Sequence, residues 1–134
     1  MNLQVGVKAL LKNKDGKYLL LHRSREKYPE VQHPWDIVGG RINPGLPLFD
    51  NLKREILEET KLNLEKEPRL IAAQDILRPD KHVVRLTFVG EIEGTPKLDQ
   101  DHDQFGWFTK EEMQTMDGLD EFTKEVLTNH SDIL

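Results

Sequence analysis

The 134-residue sequence predicts an α+β fold, a mixed β-sheet layered with a few helices, on three observations. Aliphatic, strand-like runs lie at 4–11, 18–24 and 68–92. A helical pattern covers Pro47 to Lys61. Shorter helical patterns close the chain. Sheet and helix segments arranged in this way bury their apolar sides against each other in layers.

Each element has its own signal. The run at 4–11 reads as a strand, NKDGK at 13–17 as a turn, and YLLLHRS at 18–24 as the returning strand. REKYPEVQHP is polar with two prolines and reads as a loop; WDIVGG at 35–40 is a short strand running into glycines. RINPGLP continues as a loop that needs Gly and Pro backbone geometry. From Pro47 the period becomes helical, with Leu48, Leu52 and Ile56 at i, i+4 and i+8 beside Phe49. LIAAQDIL and HVVRLTFVGEIEG flank RPDK as a hairpin of long strands. QFGWFT reads as a short strand, TKEEM as the start of a short helix, and GLDEFTKEVLTNH as a closing helix. There are no repeats and no linker, so the expectation is a single domain over residues 1–134.

Composition narrows the chemistry. With no cysteine, disulfides, thiolate zinc sites and cysteine nucleophiles are excluded. A net charge of −5 argues against binding a nucleic-acid polymer but leaves room for a single nucleotide held by a local pocket. No apolar run reaches membrane-spanning length and the N-terminus lacks signal-peptide character, so a cytoplasmic protein without a membrane partner is expected.

The most unusual stretch is REILEETKL, residues 54–62, with Glu55, Glu58 and Glu59 behind Arg54. Residues three and four apart share one side of a helix, so these carboxylates crowd together. Exposed like charges at that spacing repel by a few tenths of a kcal/mol per pair. A hard divalent cation, which seeks several oxygen ligands, reverses the sign. Gly39 and Gly40 just upstream allow close backbone approach and offer carbonyl oxygens.

Residues 40–62, GRINPGLPLFDNLKREILEETKL, resemble the Nudix box, G-x5-E-x7-R-E-U-x-E-E-x-G-U with U aliphatic. Gly40, Arg54, Glu55, Ile56, Glu58, Glu59 and Leu62 fall in register. The resemblance implies the family's α/β/α sandwich, a mixed sheet between helices, and a MutT-like pyrophosphohydrolase. It implies metal binding by Glu55, Glu59 and the Gly39 carbonyl, with Glu58 assisting and Arg54 orienting the glutamates. The cofactor would be Mg²⁺ or Mn²⁺. Two positions depart: Leu46 replaces the first glutamate of the box and Lys61 its last glycine. At Lys61 the expectation is that the helix runs on to Asn63, which tolerates a left-handed conformation.

LDQDHDQFGWF at 98–108 places Asp99, Asp101 and Asp103 at alternate positions. An EF-hand calcium loop from Asp99 fails, because its sixth residue is Gln104 rather than Gly and its twelfth is Lys110 rather than Glu. By resemblance Asp101, six before Trp107, matches the family's loop carboxylate that binds metal or accepts a proton; His102 follows it. Arg23 and Arg41 are candidate phosphate holders, since a planar guanidinium fork suits such oxygens. Trp35 and Phe105 are candidate base-stacking or packing residues.

The expected reaction is attack of water on phosphorus in the diphosphate of a small nucleoside diphosphate derivative, such as a nucleoside triphosphate or nucleotide sugar. The alternative is a Nudix-like binding module with little hydrolysis, motivated by Leu46 and the short Asp101. No substrate marker is in register, and a monomer and a homodimer both fit.

Overall fold

The computed structural model describes residues 1–134. Strand β1 (Asn2–Lys12) is the spine of a seven-stranded sheet whose order is β3-β2-β1-β6-β5. The other elements are β2 (Tyr18–Arg23), β3 (Trp35–Asp36), β4 (Val38–Arg41), helix α1 (Leu48–Thr60), β5 (Arg69–Leu77), β6 (Lys81–Glu91), β7 (His102–Phe108), α2 (Lys110–Gln114) and α3 (Glu121–Asn129). A 3₁₀ turn at Ser131–Ile133 closes the chain.

The turn at 13–17 does not zip β1 to β2 along their length. The two strands meet only at Lys12↔Tyr18. Strand β6 instead runs parallel to β1 in register from Asn2↔Lys81 to Lys12↔Glu91. On its other edge β1 takes β4, antiparallel, from Gly6↔Arg41 to Ala9↔Val38. Thus β2 and β4 divide one edge of β1, and the sheet splays where they part. The β5–β6 hairpin forms as expected, with a register shift between Leu70 and Ala72. Strand β7 starts at His102, earlier than QFGWFT suggests, and pairs with β2.

Side-chain alternation along β1 builds two cores. Val7, Ala9 and Leu11 point to one face and pack with Leu52 and Ile56 of α1. Leu10 points to the other, toward Met113, Leu119, Val126 and Leu127 from the α2–α3 region. Helices therefore cover both faces, giving the α/β/α sandwich.

Helix α1 corrects two expectations. Its buried stripe is Asn51, Leu52, Ile56 and Thr60, whereas Leu48 is exposed and Phe49 takes the first turn's place against the core. The helix also stops where the box glycine would stop it. Lys61 itself adopts the left-handed conformation (φ 62°, ψ 17°), and its N–H donates to the Leu57 carbonyl at 2.9 Å. Buried Leu62 and Leu64 must turn straight back into the core, which leaves no room for another helical turn. Lys61 is the only non-glycine residue of the chain with positive φ. Lys61→Gly should therefore stabilise the fold by about 1 kcal/mol, read as a higher Tm; an unchanged or lower Tm would show that the side chain, whose Nζ donates to the Glu58 carbonyl, offsets the strain.

Candidate active site

The strand–loop–helix unit β4–α1 brings the predicted acidic residues against backbone. Gly39 has φ +136°, and a Cβ there would fall 2.1 Å from the Val7 carbonyl oxygen. Only glycine lets β4 lie this close to β1. The Gly39 N–H donates to Glu59 Oε1 at 2.9 Å. At Gly40 a Cβ would lie 2.7 Å from Glu55 Oε2, so this glycine keeps room for the second carboxylate. Glu55 and Glu59 thus lie along β4, while Glu58 is more exposed.

Arg54 ties the turn together. Its Nη1 contacts Glu55 at 2.9 Å and Glu58 at 3.3 Å, and its Nη2 donates to the Arg41 carbonyl and to Asn51 Oδ1, both at 3.2 Å. Asn51, unremarked in the sequence, is fully buried. Its Oδ1 also accepts from the Asn43 N–H at 2.8 Å, and its Nδ2 donates to the Leu46 carbonyl at 2.7 Å and the Pro47 carbonyl at 3.1 Å. The loop carrying Leu46 is held through its backbone by Asn51. An Asn one position before the buried Leu52 was the available signal.

Electrostatics single out Glu59. Burial pushes its carboxyl up to about 7, although Lys8 and the Gly39 N–H pull the other way and Glu55 and Asp99 add repulsion. Burial also raises Glu55, against the pull of Arg54. Lys8 was not a sequence candidate; its Nζ lies 3.1 Å from Asp36 Oδ2 and 3.3 Å from the Gly39 carbonyl. Burial would push Asp36 up, but Lys8 and Arg85 together hold it below the usual carboxylate range.

The loop before β7 disperses its three aspartates. Asp103 accepts from His22 Nδ1 at 2.7 Å and from the Arg25 N–H at 3.1 Å. Asp101 pairs with Lys27, which pulls its pKa down, and with the Tyr28 hydroxyl at 3.4 Å. Asp101 is therefore engaged by the 24–34 loop, whereas Asp99 and His102 join Glu59. Asp99 Oδ1 lies 2.7 Å from His102 Nδ1, and potential ligand atoms of Glu59, Asp99 and His102 lie within 4.8 Å of one another. The cause is the turn at Gln100–Asp101. It breaks the alternation that the sequence suggests and brings i and i+3 together.

This donor set fits a divalent cation. Two carboxylates are raised by burial, the Gly39 peptide lies beside Glu59 with its carbonyl accepting from Lys8, and an aspartate and an imidazole approach Glu59. Arg23 and Arg41 line an adjoining cleft of about 440 Å³ that also includes Gly39 and Gly40. Trp35 packs edge-on between His22 and Phe108, and Phe105 packs against the α1-side core. Both serve packing.

The NUDIX domain family matches residues 2–129. The chain belongs to that family, and the class of chemistry this defines is pyrophosphohydrolysis. Among solved structures, the MutT protein from Methanosarcina mazei Go1 is similar at 25% identity and TM-score 0.84, covering 98% of this chain and 95% of that one. The MutT NUDIX hydrolase from Burkholderia pseudomallei is similar at 25% identity and TM-score 0.78, covering 96% and 98%. The ORF135 protein of E. coli, at 20% identity and TM-score 0.80 over 99% and 91%, shares the fold. No curated protein matches the chain. No helix is long and apolar enough to cross a membrane.

A pH dependence follows from Glu59. Its carboxyl is raised from 4.5 in a solvated chain to about 7 in the fold. Between these values the native state binds more protons than the unfolded one, so metal-free stability should fall as pH rises from about 4.5 to about 7. Glu59→Gln should flatten that segment of the denaturation profile. A wild-type profile already flat there would refute the burial argument.

Proposed function

We propose that residues 1–134 form one catalytic domain that hydrolyses the diphosphate linkage of a small nucleoside diphosphate derivative with a divalent cation, Mg²⁺ or Mn²⁺. The carrying observation is the seating of Glu55 and Glu59 along Gly39–Gly40, with both carboxyls raised by burial. Glu55, Glu59 and the Gly39 carbonyl, which accepts from Lys8 in the structure, would hold the cation, with Asp99 near enough to Glu59 to join them. The cation would supply charge neutralisation at the diphosphate oxygens and a more acidic water.

The side chains of the chain supply the rest. Arg54 fixes the angle of Glu55 and restrains Glu58, so their charges are aimed before substrate arrives. Arg23 and Arg41, which have no carboxylate partner, are free to grip phosphate oxygens. His102 is the stronger candidate for accepting the proton of the attacking water. Asp99 holds its Nδ1 and leaves Nε2 as the free ring nitrogen, whereas Asp101 is engaged by Lys27. With the proton on His102 the water oxygen bonds phosphorus, and the phosphate-bridging oxygen departs with one product.

Two outcomes test this reading against a panel of nucleoside triphosphates, nucleotide sugars and dinucleoside polyphosphates. Glu59→Gln should lower kcat by at least about 100-fold while circular dichroism stays native, since electrostatic groups of this kind contribute on that scale. Near-normal turnover by that variant would remove the basis of the proposal. His102→Gln should cost more turnover than Asp101→Asn. The reverse order would return the base role to Asp101.

A further inference from the structure

The cleft beside Gly39 carries more positive charge than a diphosphate alone explains. It is lined by Lys8, Arg23, Arg41, Arg78, Lys81 and Arg85, against only Asp36 and Asp120. Those two acids are already committed. Lys8 pairs with Asp36 at 3.1 Å, and Arg85 Nη2 lies 3.4 Å from Asp36 and 2.9 Å from Asp120. Four cations remain over, and they fall into two groups. Arg23 and Arg41 stand at the glycine end. Arg78 and Lys81 stand at the tip of the β5–β6 hairpin, where the Arg78 N–H bonds the Lys81 carbonyl at 2.9 Å.

The strand register sets the distance between the groups. Gly6 faces Arg41 on one side and Arg85 on the other. From Arg85 to Lys81 is four residues of β6, about 13 Å at the rise of an extended strand. Along that path Arg85, Val83 and Lys81 share one side of the strand, and all three line the cleft. Lys81 has no carboxylate within ion-pair range, and Arg78 reaches Glu121 only at 4.0 Å. Level with Arg41 across Gly6, Arg85 is 6% exposed and its Nε is buried without a hydrogen-bond partner. Its guanidinium is held over the Phe122 ring at 5.7 Å. Ile76, Val83 and Phe122 lie among these cations, so the cleft can hold an uncharged linking group between charged ends. It suits a ligand that is anionic at both ends.

We propose that the hairpin tip is a second anion subsite, and that the substrate carries a phosphate group remote from the diphosphate that is hydrolysed. Arg78 and Lys81 contact that distal phosphate, Arg85 forms the floor near Arg41, and Val83 lies between the two anionic ends. The proposal rests on the hydrolase reading for the position of the diphosphate, and narrows its substrate class to doubly phosphorylated nucleotides.

The test compares matched ligands that differ only in a distal phosphate: dephospho-coenzyme A with coenzyme A, ADP-ribose with its 2′-phosphate, and NADH with NADPH. Binding is measured by calorimetry in EDTA, so that no turnover is needed. The expected result is at least tenfold tighter binding of the phosphorylated member of one or more pairs, shrinking as salt is raised. Lys81→Met with Arg78→Gln should bring that ratio to near one, while Lys110→Met, a cation outside the cleft, leaves it intact. The ratio within a pair is insensitive to a general loss of folding or affinity. Equal binding within all three pairs, or a preference that survives the double substitution, overturns the proposal. Failure of every ligand to be hydrolysed with Mg²⁺ or Mn²⁺ would count separately, against the hydrolase reading, because the binding ratio does not depend on it.

Discussion

The contact on which the placement of the acidic turn depends is the hydrogen bond from the Gly39 N–H to Glu59. It joins the carboxylate-bearing turn of α1 to β4, and it exists because two glycines let backbone come where any side chain would collide. The helix is pressed into this position by its apolar stripe. Leu52 and Ile56 are fully buried against Val7, Ala9 and Leu11 of β1. Packing energy from the core is thus converted into crowding of like charge at the surface of the sheet. Such crowding is unfavourable by itself, and Arg54 beside Glu55 and Lys8 near Glu59 offset part of it.

Polar groups around α1 form a scaffold for that crowding. Arg54 spans Glu55, Glu58, the Arg41 carbonyl and Asn51, and Asn51 in turn holds Asn43, Leu46 and Pro47. The Nudix box usually has a glutamate where this chain has Leu46. Here the loop is fixed by the buried Asn51 amide, which bonds the Leu46 backbone rather than any side chain. The position is consequently free to be apolar and exposed. On the other face of the sheet, Lys8, Asp36, Arg85 and Asp120 form a second polar chain. It meets the first at the Gly39 peptide, whose N–H serves Glu59 and whose carbonyl takes the Lys8 ammonium.

Local pattern made most of the secondary structure readable. The helical period from Pro47, the β5–β6 hairpin and the closing helices all form close to where the residues place them. Reading failed where a local signal was outweighed by distant partners. Residues 13–17 do turn the chain, yet β1 spends its hydrogen bonds on β6 and β4, which lie far away in sequence. Lys61 takes up the left-handed conformation, despite its Cβ, because Leu62 and Leu64 are pulled into the core. Asp101 matched the family spacing, but a turn at Gln100–Asp101 directed it to Lys27 and gave its neighbours to Glu59.

By itself the sequence determined the layered fold, the family and the acidic turn, because periodicity and short-range spacing act within one element. Which acids face one another, which arginines stay unpaired, and where the cations accumulate were decided only by tertiary structure. Those properties arise from strand register and loop closure, which bring residues such as Lys8, Asp36, Arg85 and Asp120 together across gaps that no local pattern encodes.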